Sequence, residues 1–274
     1  MKLIGVTVVF NEEKMIPYVM PYVEAMGYDK FIVYDDGCTD KTIELLKNYP
    51  FVEVREMKMT GKDFNKRKLD THLDSFSEMY KEYVSKGEET WLTVTDFDEV
   101  IFCQRERHTL MKEYIELMSK RGYNYFDGRM LHLTWDGKEK GDFYPHTWDG
   151  VRGTWWLTEG KKVTMFKVND FEGVYMTMGN HNVGVFPRCG IMIKNLDDCG
   201  EFHGFHMKYF DKNTILSRSE DIRFVSDAEN ALNIVRSSSF PMDMYFLMKG
   251  LNAHKSPPNR FDNGEGISIL KKPE

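Results

Sequence analysis

The chain has no apolar run approaching the ~20 residues that a membrane-spanning helix needs. Its first residues lack the apolar stretch of a secretory leader. Cysteine is scarce: Cys38, Cys103, Cys189 and Cys199 are the only four, and no two have C-x-x-C spacing. That argues against a small disulfide scaffold and a zinc ribbon, and the expected compartment is a reduced, cytoplasmic one. No excess of positive charge is present. Lys and Arg number 37 against 43 acids, for a net charge of −6, so a general nucleic-acid binder is not expected. Neither G-x-G-x-x-G nor G-x-x-x-x-G-K-[ST] occurs, and repeats and low-complexity segments are missing. A dinucleotide fingerprint and a P-loop are thereby set aside.

What is there is material for a core. The 274 residues are 41% hydrophobic and 14% aromatic, enough for one large domain or one with a small appendage. "LIGVTVVF" (Leu3–Phe10) is nearly all apolar and rich in β-branched residues, the pattern of a strand buried on both faces. A helix should follow, capped by Asn11, with Glu12 and Glu13 in its first turn and Gly27 ending it. Pro17 and Pro21 should kink or interrupt it. "KFIVYDDG" reads as a second strand, with a helix opening after Thr39, and Val52–Val54 as a short third strand. Leu69, Leu73, Phe76, Tyr80 and Tyr83 recur at helical spacing, which predicts an amphipathic helix over 66–86. "WLTVT" is a fourth strand. Alternating strands and helices imply a doubly wound α/β sheet.

After Phe102 the pattern is less regular. A helix is expected over 109–121, then strand-like pieces "RMLHLTW", "VTMFKV", "GVYMTM", "GIMIKN" and "FHGFHM". Ser226 and Glu229 suit a capping box for a helix near 227–237, and the tail from Asn252 should be irregular.

Ligands of open α/β sheets bind at the carboxyl ends of strands, near a reversal of strand order. Three such ends carry polar groups: Asn11–Glu12, Asp35–Asp36 and Asp96–Asp98. A single acid after a strand is ordinarily a cap or a turn. Three polar ends in one sheet, two of them with paired acids, point to a site. On an extended backbone Asp96 and Asp98 would face the same way. They either hold a cation or include a nucleophile. Hard oxygen ligands favour Mg²⁺ or Mn²⁺, and such sites leave positions for substrate phosphates. A diphosphate-bearing substrate follows.

"VTVVFNEE", "YDDGCTDKT" and "TDFDEVIF" resemble the strand-end motifs of family 2-like GT-A glycosyltransferases in order and spacing over 1–102. Cys38 stands where serine is commoner. "GNHNVGVFPRCG" and "GEFHGFHMKYFDKNTILSR" resemble a bacterial-type subgroup with an H-Y-K-Y-like segment, with Met207 in place of the tyrosine. The resemblance implies a GT-A fold: a Rossmann-like doubly wound mixed sheet with a less regular acceptor-binding second half. It implies a nucleotide-sugar-binding half over 1–102, an acceptor-binding half over 103–215 that completes the active site, and helices and a tail over 216–274.

It further implies a nucleoside diphosphate sugar donor and a glycan or lipid-linked sugar acceptor, as in surface polysaccharide synthesis. A location at the inner membrane face, with peripheral membrane contact, is compatible with that role. Asp35 or Asp36 would hold the base or ribose, with Phe10, Asn11 and Glu12 shaping the nucleoside pocket. Asp98 and Asp96 would hold Mn²⁺ or Mg²⁺, with His206 as a late ligand, His203 as its competitor, and Lys208 near the donor phosphates. In an extended segment His206 and Lys208 share a side and His203 takes the other.

The basic run Lys62, Lys66, Arg67 and Lys68 precedes a helix on the same sheet edge, and Arg67 is a candidate for phosphate. A run of this kind is ordinarily a solvated face. Asp149, Glu159 and His181 are candidates for the base that an inverting transfer needs. Trp135, Trp148, Trp155 and Trp156 suit sugar stacking and core filling equally.

Three rivals share features of this pattern. A haloacid-dehalogenase-type phosphatase would use Asp96 as nucleophile, but its D-x-D motif normally opens the domain, and here Asp35–Asp36 come first. A sugar nucleotidyltransferase would want a G-x-G-T-R-type loop where "FNEE" stands. A sugar-binding module without catalysis would not need intact carboxylates.

Overall fold

The computed structural model describes residues 1–57, 64–103, 111–134, 157–176, 183–196, 202–209 and 268–271. The chain forms two compact units. The first takes Met1–Met130, Gly160–Gly204 and Glu265–Glu274; the second takes Leu131–Glu159 and Phe205–Gly264.

The first unit opens with β1 (Lys2–Val9), α1 (Ile16–Met26), β2 (Lys30–Asp35), α2 (Thr42–Leu46), β3 (Val52–Glu56), α3 (Phe64–Glu82) and β4 (Thr90–Val94). β5 (Glu99–Cys103) and α4 (Met111–Lys120) follow, then β6 (Tyr125–Thr134), β7 (Leu157–Lys167), β8 (Phe171–Met176), β9 (Val183–Pro187), β10 (Phe202–Tyr209) and β11 (Ser268–Lys271). The main sheet runs β3-β2-β1-β4-β7-β6-β10-β5, and a smaller one runs β11-β8-β9. β3, β2, β1 and β4 are mutually parallel, and β7 joins β4 antiparallel. This is the mixed, Rossmann-like doubly wound sheet expected of a GT-A fold. Among the described residues no helix is long and apolar enough to cross a membrane.

The strand sequences explain the two-faced burial. Neighbouring residues of β1, β4 and β7 divide between two apolar clusters, as period-two side chains must. Ile4, Val6, Leu92, Val94 and Phe166 join Leu69, Leu73 and Phe76 of α3 on one face. Leu3, Trp91 and Met165 join Met26 of α1 and Tyr114, Ile115 and Met118 of α4 on the other. Gly5 is required where it stands: a Cβ there would sit 2.4 Å from the Phe31 ring of β2.

Several expectations need correction. α1 begins at Ile16, with Pro17 in its first turn, and it runs through Pro21 to a left-handed Gly27. Asn11 is no cap; its φ is 54°, and its carboxamide turns to another loop, as shown below. α2 opens at Thr42, not directly after Thr39. The helix expected over 66–86 ends at Glu82 and is followed by a short 3-10 turn, Val84–Lys86. "GIMIKN" is not a strand; only Asn195 forms an isolated bridge, to Tyr125. The tail is not wholly irregular, since Ser268–Lys271 pairs antiparallel with β8. The segment near 227–237 lies outside the described residues.

Candidate active site

Strand order reverses at β1: β2 and β3 lie to one side and β4 to the other. The carboxyl ends of β1, β2 and β4 therefore border the crevice where open α/β sheets bind ligands. Half-buried Phe10 and exposed Asn11 follow β1 there.

The loops after β1 and β2 are stitched together. Asn11 Oδ1 accepts from the Thr39 N–H at 2.7 Å and the Asp40 N–H at 3.3 Å. The Glu12 N–H donates to Thr42 Oγ1 at 2.7 Å, and the Glu13 N–H to Asp40 Oδ2 at 3.1 Å. Glu13 answers by accepting from the Lys41 N–H at 3.2 Å. Donors on the second loop thus occupy Asn11 Oδ1, the atom that a helix cap would use, and it does not cap α1. Cys38 bridges both loops, its thiol donating to the Val9 carbonyl at 3.7 Å and accepting from the Asn11 N–H at 3.3 Å. Burial pushes this thiol up to about 12, with Asp35 and Asp40 adding to the shift, so it is a neutral bridging group at physiological pH.

The two acids after β2 have different tasks. Asp35 Oδ1 accepts from the Gly37 and Cys38 N–H groups at 3.0 and 2.7 Å, which closes a turn around Gly37 at φ 89°. Asp36 instead meets Arg67 of α3, with Nη2 and Oδ1 2.7 Å apart. Arg67, expected at a donor phosphate, is engaged with a carboxylate in this structure.

Asp96, Phe97 and Asp98 are not extended. They form a tight turn in which the Glu99 N–H donates to the Asp96 carbonyl at 3.0 Å. Glu99 Oε2 accepts from the Asp96 N–H at 3.2 Å. Phe97 is 3% exposed and anchors the turn in the core. The shared-face argument for Asp96 and Asp98 therefore fails, because a turn lacks the period-two alternation of a strand. Asp98 is 6% exposed and Glu99 4%, so both acids are buried at this turn, and Asp96 is the more open of the three. Lys68 of α3 ion-pairs with Asp96 Oδ1. Successive α3 residues thus reach the ends of β2 and β4, the two strands flanking β1. Lys66, Arg67 and Lys68 of the basic run lie within α3 and not before it, because the helix opens at Phe64. Local sequence carries no signal for the partner of Lys68.

Two carboxylates on one turn suit a hard divalent cation when a substrate diphosphate supplies the remaining oxygens. The protein does not complete such a shell alone: among the described residues no three His, Cys, Asp or Glu side chains converge as metal ligands. His203, His206 and Lys208 lie on β10, and Glu159 lies on β7; their side chains are outside the described residues. Asp149, His181 and the four second-half tryptophans are outside them altogether.

Comparison with known proteins adds the family. No curated protein matches the chain. Among solved structures, S. aureus TarS 1-349 is similar over 52% of this chain and 40% of that one, at 16% identity and a TM-score of 0.35. The same fragment in complex with UDP-GlcNAc gives 16% identity, 52% and 38% coverage, and a TM-score of 0.35. HddC from Yersinia pseudotuberculosis is similar over 76% of this chain and 89% of that one, at 11% identity and a TM-score of 0.30. The chain thus spans less than half the length of the TarS structures it matches. The profile of glycosyltransferase family 92 matches residues 4–143, the stretch that carries all three strand-end loops. The chain belongs to glycosyltransferase family 92.

Proposed function

We propose that this glycosyltransferase takes a sugar from a nucleoside diphosphate donor bound at the carboxyl ends of β1, β2 and β4. The sugar passes to a hydroxyl of a glycan or lipid-linked acceptor, in surface polysaccharide synthesis at the cytoplasmic face of a membrane. The observation that carries this reading is the convergence of three polar loops at the strand-order reversal, two of them bearing paired acids. In the division of labour proposed here, 1–102 binds donor, 103–215 binds acceptor and completes the site, and 216–274 closes the chain. The donor half would work as in family 2-like enzymes, whose strand-end motifs it resembles.

In this reading Phe10, Asn11 and Glu12 shape the nucleoside pocket, and Asp35 or Asp36 governs nucleotide affinity. Asp96 and Asp98 would hold Mn²⁺ or Mg²⁺, with His206 as a third ligand and Lys208 beside the phosphates. Such an ion supplies Lewis-acid stabilisation of charge on the departing diphosphate. Asp149, Glu159 or His181 takes the acceptor proton if the transfer inverts. The acceptor oxygen then bonds to the anomeric carbon as the carbon–oxygen bond to the diphosphate breaks.

A panel of nucleotide sugars, assayed for metal-dependent hydrolysis and transfer, tests the reading. UDP-GlcNAc is the natural first member, since a TarS fragment was crystallised with it. One nucleotide among UDP, GDP and CMP should raise the melting temperature, and far more with Mn²⁺ present than without it. If no nucleotide does so and no donor is hydrolysed, the proposed donor site is wrong.

A further inference from the structure

We propose that Lys68 is a resident counter-cation of Asp96, keeping the carboxylate pair from taking up a divalent ion until a diphosphate draws the ammonium away. This rests on the reading of Asp96 and Asp98 as a divalent-cation site.

Three observations lead to it. Lys68 Nζ is ion-paired with Asp96 Oδ1. The lysine side chain is only 10% exposed while that of Asp96 is 28% exposed. The carboxylate is therefore open to an incoming ion on one side and already neutralised on the other. An enclosed ammonium without an anionic partner is costly, so Lys68 holds Asp96 in preference to being left unpaired. Neighbouring Arg67 is clamped to Asp36. The start of α3 is thus held at β2 by a separate contact, and Lys68 can change partner by side-chain motion alone.

The charge arithmetic sets the order of events. A divalent ion arriving alone must approach Asp96 against the Lys68 charge at contact range, where repulsion is strong and poorly screened. A nucleoside diphosphate brings several negative oxygens to the same strand ends. Lysine is a point charge on a flexible stem and exchanges one anion for another readily. Once its ammonium meets phosphate, the Asp96 carboxylate is left without its counter-cation and is available to the divalent ion. Metal uptake is then coupled to donor binding, and idle enzyme does not collect cations.

Lysine at such a position also has a plain structural use, as a salt bridge tying α3 to the turn after β4. Metal affinity separates the two roles, because a merely structural lysine would not oppose cation binding. The measurement is Mn²⁺ affinity of the full chain without nucleotide, by calorimetry and by the electron paramagnetic resonance signal of free Mn²⁺. Lys68→Met should bind Mn²⁺ at least roughly tenfold more tightly than wild type, a factor worth about 1.4 kcal/mol. Lys68→Arg, which retains the charge, should stay close to wild type. Mn²⁺ alone should raise the melting temperature of Lys68→Met more than that of wild type. With saturating UDP or GDP, whichever binds, the difference should shrink.

Equal Mn²⁺ affinity in wild type and Lys68→Met, with nucleotide-dependent Mn²⁺ binding still lost in Asp98→Asn, overturns this inference and leaves the metal site standing. No Mn²⁺ binding by any variant, with or without either nucleotide, overturns the metal site and this inference together. If Lys68→Met does not fold, Lys68→Gln gives the same comparison.

Discussion

Arg67 Nη2 lies 2.7 Å from Asp36 Oδ1, and the two side chains are only 13% and 4% exposed. The pair links the first turns of α3 to the end of β2, across 31 residues of chain. Removing one member of a buried ion pair leaves the other uncompensated, at a cost of about 3 kcal/mol or more. Arg67→Ala should therefore lower the unfolding free energy read from urea titration by about that amount, with a lower midpoint, and Arg67→Lys should lower it by less.

The same contact sharpens the nucleotide assignment. Asp35 closes its own turn, whereas Asp36 is held by Arg67 of α3. Alanine at the residue that reads the nucleoside should weaken nucleoside diphosphate binding even without metal. Unchanged affinity in both Asp35→Ala and Asp36→Ala, measured by calorimetry, would reject the role of this strand end.

Asp98→Asn should abolish most transfer while preserving the fold. The substitution is nearly isosteric at a position 6% exposed, and it removes one of two proposed metal carboxylates. Losing charge stabilisation of the leaving diphosphate should lower kcat roughly 100-fold or more. Circular dichroism and the melting curve should stay close to wild type. Near-normal turnover by the folded variant would sink the metal-site reading.

His206→Ala should cut activity and Mn²⁺-dependent nucleotide binding strongly, and His203→Ala should do less. Both residues belong to β10, and alternation along a strand places them in different registers. A donor-and-metal complex in which His206 lies more than about 6 Å from the cation, beyond direct ligand distance, would transfer the candidacy to His203 or His181.

Asp29 gives a pH prediction away from the site. Burial alone would raise its carboxyl, but Lys112 and the Leu3 N–H outweigh that and hold it below the ordinary aspartate range. Lys112 Nζ is 2.7 Å from Oδ2, and the Leu3 N–H donates to the same oxygen at 2.8 Å. A depressed carboxyl contributes stability that is complete above its unfolded value and is lost as pH falls through its folded value. Asp29→Asn should therefore flatten the acid side of the stability profile and leave its slope near neutrality unchanged. Urea unfolding across that pH range reads the difference. The side chain is 23% exposed, so solvent screening will keep the effect modest.

The local pattern of the sequence already carried the first half of the fold. Short apolar runs rich in β-branched residues and bounded by turn signals read as strands buried on both faces, and the acids that follow them fall at the strands' carboxyl ends. Hence β1, β2 and β4 and their polar ends are legible in the sequence. Tertiary structure decided what those polar groups touch. Capping is a local event, so the sequence around Asn11 predicts a cap. In the folded chain a second loop brings the Thr39 N–H to its carboxamide. The apolar strand running into Asp96 and Asp98 predicts an extended backbone there. In the structure the burial of Phe97 and the Glu99–Asp96 hydrogen bonds close a turn. Arg67 and Lys68 looked like a solvated run with phosphate in reach. Only the return of α3 across the sheet sets each against a particular acid, Asp36 or Asp96. Periodicity reports which face a residue is on, but the partner across a sheet depends on crossovers many residues long.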